Sequence, residues 1–359
     1  MFVALRDLRH ARGRFALIGS VVALITILVG FLAGLTGGLA QQNISAVLAM
    51  PADRIVLAAP AGSGSEPSFT EGSISAEQEQ AWSDTPGVTR VEPVGISQLS
   101  AETASARTGV AVLGVEQGFS ADAPTTAGTI TLSETAAEDL GASAGQRVTI
   151  AGTDYTVARV AGDLSFSHTP VMMLPLADWQ ELAARTGGPA DARATMLAVT
   201  GADDVDWDAA AAATHTEAST VLSSLTSLPA FRSEIGSLLT MVAMLFGISA
   251  LVIGAFFVVW TMQRRGDIAV LKALGASTRS LVLDALGQAA IVLVVGIGAG
   301  IAIVAGLGAF ASGVLPFWLS PLTTLVPGAA MVLLGLAGAA FALRSVTSAD
   351  PLTALGSNR

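Results

Sequence analysis

Gln263-Arg264-Arg265-Gly266-Asp267-Ile268-Ala269-Val270-Leu271-Lys272-Ala273-Leu274-Gly275-Ala276-Ser277-Thr278-Arg279 lies between two long apolar runs, each able to cross a bilayer. Ile268, Leu271 and Leu274 recur at helical spacing, and charges gather at the two ends. That pattern predicts a short amphipathic helix on a membrane surface, ended by Gly275. Arg264, Arg265, Lys272 and Arg279 place the loop on the cytoplasmic side by the positive-inside rule. From periodicity alone two roles suit it: an interfacial anchor or folding signal, or a coupling helix docked on a cytoplasmic partner.

The flanking runs belong to a chain of 359 residues that is 52% hydrophobic. Its mean hydropathy of +0.64 is too high for an ordinary soluble protein. Charge is unevenly placed, since 23 of the 28 acidic residues fall between residues 39 and 230. The formal net charge of −10 therefore describes one acidic, water-exposed domain, which disfavours nucleic acid as a partner. With no cysteine, disulfide frameworks, zinc–thiolate sites and cysteine nucleophiles are excluded. No His-Glu-x-x-His pair is present and the histidines number only three, so the parts of common hydrolases are missing.

Residues 1–14 carry Arg6, Arg9, Arg12 and Arg14, and residues 15–38 carry no charge. That run exceeds a signal-peptide core and suffices to span a bilayer, so an uncleaved first span is expected. Residues 235–262 form a second span. No charge appears between Asp284 and Arg344, an interval too long for one crossing. Pro316, Pro321 and Pro327 divide it into spans at 285–311 and 326–343, with Trp318 in an outer loop at 312–325. The segments 1–14, 263–284 and 344–359 are then cytoplasmic, and the chain is a multi-pass protein of the cell (plasma) membrane. In the third span, Gly296 and Gly300 have a GxxxG spacing that lets helices approach closely, expected mainly within the chain.

Residues 39–234 read as an α+β extracellular domain with helical stalks. Arg147–Ile150 and Tyr155–Val160 are strand-like, with Gly152-Thr153-Asp154 as a hairpin turn. Ser133 caps a helix that Gly141 ends, and Pro175-Leu176 opens another. Residues 208–226, rich in Ala, Ser and Thr, are expected as a helical stalk. The fold class is a membrane protein with four transmembrane helices and an α+β extracellular domain inserted between helices 1 and 2.

This plan resembles the permeases of MacB/FtsX/LolC-type ATP-binding-cassette (ABC) systems. The similarity rests on Arg264–Ala276, which looks like the family's coupling helix, and on Ala349-Asp350-Pro351-Leu352-Thr353-Ala354-Leu355, which looks like its C-terminal tail. The stretch from Gly128 to Trp179 looks like its periplasmic core pattern, and the opening Met1–Leu17 is similar to haem-efflux permeases of the HrtB type. The resemblance implies a non-catalytic permease homodimer in the lipid bilayer, driven by two copies of a cognate ABC ATPase that bind the ATP. Arg264, Arg265, Asp267, Val270, Leu271, Lys272, Leu274 and Gly275 would couple the two. The chain itself has no phosphate-cradling Gly-Lys-Ser/Thr loop. The implied cargo is haem, with no intrinsic cofactor. Alternatives are an FtsX-like signal transmitter to a cell-wall hydrolase and an exporter or extractor of a peptide or lipoprotein.

Haem needs an axial ligand, apolar walls and partners for its propionates. Glu234, Ser237, Met241 and Met244 follow helical spacing at the start of the second span, with Glu234 and Met241 as candidate iron ligands. Phe231 and Arg232 are candidates for ring stacking and a propionate; Gln41, Gln42 and Asn43, just beyond the first span, would face the same site or simply cap the bilayer. Glu234 and Arg232 also suit plain helix-end charges, and methionine is common gap filler. His10, His168 and His215 are expected outside the site: a headgroup position, a loop of the outer domain and a solvated stalk face. Tyr155 is expected to pack in a hairpin.

Overall fold

The computed structural model describes residues 12–59, 66–189, 192–263, 266, 270, 274–311 and 315–347. Helix α1 (Arg12–Leu48) carries the first uncharged run and continues through Gln41-Gln42-Asn43 without a break. There follow β1 (Arg54–Ala58), α2 (Ala76–Ser83), β2 (Val88–Glu102), β3 (Arg107–Val115), β4 (Thr129–Leu132) and α3 (Glu134–Leu140). Next come β5 (Arg147–Ile150), β6 (Thr153–Val160), β7 (Ser165–Phe166), β8 (Thr169–Pro175), α4 (Leu176–Arg185) and β9 (Met196–Gly201). The chain then forms α5 (Trp207–Thr214), β10 (Thr216–Thr220), α6 (Val221–Ser224), α7 (Pro229–Gln263), α8 (Thr278–Ala311) and α9 (Pro321–Thr347). Two compact units result, one of residues 39–236 and one of residues 1–38 with 237–359.

In the first unit the long β2 serves two sheets. Its early residues pair with β9, which leads on to β1 and β10. Its later residues pair with β3, and the order runs through β8, β4, β6 and β5 before β5 returns to β2 at Ala101↔Ile150. Six strands thus close on themselves, which removes their free edges. Val110 and Val112 of β3 and Met172 and Leu174 of β8 enter one core, with Leu132, Ile150 and Tyr155. Their neighbours Ala111, Leu113, Val171 and Met173 enter another, with Ile55, Phe69 and Phe166. Burial on both faces explains why these strands read as unbroken apolar runs. Gly95 and Gly114 are paired across β2 and β3. A Cβ at either would stand 2.1 or 2.2 Å from Trp179, so the pair forms the flat seat for its ring.

Two expectations for this unit are corrected. The β5–β6 turn is Ala151-Gly152, both at positive φ, which fits the two-residue turns that match strand twist. Residues 208–226 are not a stalk helix: α5 ends at His215 in a left-handed cap, and β10 pairs with β1. Thr216, β-branched, meets Thr214 at 2.8 Å and accepts from the Trp82 indole at 3.2 Å, contacts that outweigh modest helix propensity. The Ser133 cap and the Gly141 stop are present as read.

Among the described residues, four helices are long and apolar enough to cross a membrane: α1, α7, α8 and α9. Gly296 and Gly300 of α8 face Gly19, Val22, Ala23 and Thr26 of α1, so the GxxxG spacing serves packing inside the chain. The Phe317 ring fills the space over Gly34 and Gly308 beside Phe31, while Trp318 N–H donates to the Gly34 carbonyl at 3.0 Å. Helix α9 starts at Pro321, a first-turn position that needs no N–H, and Pro327 lies inside it and not at its boundary.

Candidate functional site

Strands β7 and β8 are joined by Ser167 and His168, both at positive φ (50° and 64°). A type I′ turn normally takes Asn-Gly at these places. Here the turn is held from outside. Ser167 N–H donates to the Asn43 carbonyl at 2.9 Å, and His168 N–H to that of Gln42 at 3.1 Å. Ser45 Oγ accepts from Ser165 N–H at 2.8 Å and lies 3.1 Å from the Ser165 carbonyl oxygen. The hairpin is thereby fastened to the last turns of α1.

This fastening brings His168 to Glu234. His168 Nε2 lies 2.8 Å from Glu234 Oε1, and Asn43 Nδ2 donates to Glu234 Oε2 at 3.2 Å. Asn43 Nδ2 is also 3.3 Å from His168 Nε2. One imidazole nitrogen cannot both donate and accept, so the consistent assignment has Nε2–H donating to the carboxylate. Asn43 is fully buried and its Oδ1 has no hydrogen-bond partner. The side chains of His168 and Glu234 are each about a third exposed (32% and 33%), so the carboxylate is both held and reachable.

His168 is thus a loop residue of the outer domain, as expected, but one engaged with Glu234, and of Gln41, Gln42 and Asn43 it is the Asn43 side chain that meets that carboxylate. A contact between residues 66 apart leaves no periodic trace in the sequence. Arg232 forms an exposed ion pair with Glu66, and its hydrogen bond holds the Glu66 carboxyl below the usual range. Phe231 packs against the core cluster that contains Leu225 and Leu228, so it is not a free stacking ring. Ser237, Met241 and Met244 are exposed on α7, the methionines by 54% and 64%. The same exposed stripe continues through Ile248, Leu251, Val259 and Met262. His215 is an exposed helix cap. Among the described residues, no group of three or more His, Asp or Glu side chains gathers as a metal site.

Of the residues expected to couple to an ATPase, Val270 and Leu274 are exposed, Leu274 N–H donates to the Val270 carbonyl, and Gly275 takes φ +94°. Ser277 Oγ then accepts from Ser280 N–H at the start of α8. Arg264, Arg265, Asp267, Leu271 and Lys272 lie outside the described residues, as do His10 and the 349–355 motif.

Residues 17–216 match the MacB-like periplasmic core domain, and residues 239–351 match the FtsX-like permease C-terminal region. The chain belongs to the MacB- and FtsX-like permease family. It is the permease of an ABC transporter, a multi-pass membrane subunit whose family works with an ATPase partner. A Staphylococcus haemolyticus protein named as the hemin transport system permease protein HrtB is 25% identical over 99% of both chains. A Staphylococcus epidermidis protein of the same name is 20% identical, again over 99% of both. The permease also resembles the periplasmic region of MacB from Actinobacillus actinomycetemcomitans, at 12% identity and TM-score 0.38 over 49% of this chain and 92% of that one. The extracellular domain of the Gram-positive transporter YknZ gives 15% identity and TM-score 0.32 over 48% of this chain and 91% of that one.

Proposed function

We propose that the permease takes haem, or a similar membrane-embedded amphiphile, from the bilayer and expels it outward. Two copies of a separate ATPase bind and hydrolyse the ATP and act on a permease homodimer through the segment 263–284. Both termini are cytoplasmic and the inserted domain is outside, in line with the basic residues flanking the spans.

The observation that carries the reading is the start of α7. A held, reachable carboxylate, Glu234, is followed on the same helix by Ser237, Met241 and Met244 at spacings of one face. Carboxylate and thioether are both competent haem ligands, and the apolar stripe beyond them suits a macrocycle. The full-length relatives named for hemin transport point the same way. Exposed residues at 241, 244, 248, 251, 255, 259 and 262 follow intervals of three and four, which supports pairing of α7 with its copy in a homodimer. Arg232, paired with an exposed Glu66, can exchange that partner for a propionate.

Titration of hemin into the purified permease–ATPase complex is expected to shift the Soret band. Glu234→Ala is expected to weaken hemin binding strongly and change the band of what still binds, and Met241→Ala to alter it. No spectral change with hemin but a response to a lipopeptide would favour the extractor reading, and no response to any ligand the signal-transmitter reading.

A further inference from the structure

The turn that carries His168 uses two left-handed positions, filled by Ser and His where glycine would cost least. Gly adopts this conformation at least cost, and Asn and His both tolerate it. The backbone is held by the Gln42 and Asn43 carbonyls whatever the side chain, so a better turn-former would serve the fold as well or better. What histidine adds is reach: its Nε2–H ends 2.8 Å from Glu234 Oε1, while Asn43 occupies the other oxygen.

We propose that His168 is a positioning residue for the substrate carboxylate, fixing Glu234 from the β7–β8 hairpin with Asn43 as its partner. The inference rests on the reading of Glu234 as a haem ligand. A carboxylate has about four lone-pair sites, more than the His168 and Asn43 donors use. Donors behind a ligating group orient it and hold it in its donating form, and losing one typically weakens metal binding about 10–100-fold. Because the hairpin is bonded to α1 and Glu234 sits on α7, the carboxylate is held in register with both helices within this unit.

The test uses the full permease with its ATPase in lipid nanodiscs, titrated with hemin and followed by the Soret band and the electron spin resonance of ferric haem. His168→Asn suits the left-handed turn but is too short to reach Glu234. It is expected to keep or raise the melting temperature, weaken hemin about 10-fold or more and change the spectrum of what binds. In His168→Gln the longer amide restores a donor, and most of the affinity and the original spectrum should return. Glu234→Ala with His168→Asn should bind no more weakly than Glu234→Ala alone. Wild-type affinity and spectrum in His168→Asn, with binding weakened in Glu234→Ala, would overturn the inference and leave the haem reading standing. An equal loss from His168→Asn in the Glu234→Ala background would also overturn it, since His168 would then act on haem directly. Hemin binding unchanged in Glu234→Ala would remove both.

Discussion

At the scale of single residues, two side chains report on their surroundings in ways that can be measured. Tyr155, the sole tyrosine, is buried in the core of the closed strands. Burial pushes its hydroxyl above the usual value, with Asp178 and Glu181 adding to the shift. A raised acid holds its proton longer in the folded chain than in the unfolded one. Its stabilising effect is therefore complete below the unfolded value of about 10 and is lost as pH rises through the folded one. An ultraviolet titration of tyrosinate should give a single midpoint above 10, and a midpoint at 10 would mean that the ring is not packed as described. Trp179 is the second reporter, through the glycines beneath it. Gly95→Ala or Gly114→Ala drives a methyl into the indole and should cost at least about 2 kcal/mol, or about 4–8 °C in the melting temperature of the inserted unit. An unchanged melting curve would contradict that packing.

At the scale of elements, what the sequence discloses depends on where each signal resides. Uncharged runs such as 15–38 are legible because a bilayer forces every backbone group to be satisfied within the helix, and nothing else carries so many apolar residues. The Ser133 cap and the Gly141 stop are legible because their chemistry is local. Residues 216–220 are not: Ala, Ser and Thr leave helix and strand close in energy, and pairing with β1 decides. The contact of His168 with Glu234 was hidden for the same reason, as was the choice among Gln41, Gln42 and Asn43, since both depend on how a hairpin meets a helix. Gly296 and Gly300 illustrate the middle case, because the spacing announces close packing but not the partner, which is α1. Gly300→Leu should therefore separate α1 from α8 and lower the thermal stability of the purified permease, with no need to invoke the dimer. Unaltered stability together with dissociation into single copies would place that surface between copies instead.

At the scale of the whole molecule, 23 of the 28 acidic residues lie between residues 39 and 230, while 11 of the 18 basic ones lie outside that stretch, as expected of a chain that crosses a membrane. A membrane-impermeant thiol reagent applied to intact cells should label a cysteine placed at Asp154 and leave one at Val270 untouched until the membrane is opened. Labelling of position 270 from outside would reverse the orientation and detach the coupling segment from its ATPase. The most direct test of the account is ATP hydrolysis by the permease–ATPase complex in vesicles as hemin is added to the bilayer. The account predicts a saturable rise in rate, absent in Glu234→Ala, accompanied by hemin appearing on the side of the inserted domain. A rate indifferent to hemin in an intact, ATP-hydrolysing complex, or an equal rise in Glu234→Ala, would contradict it.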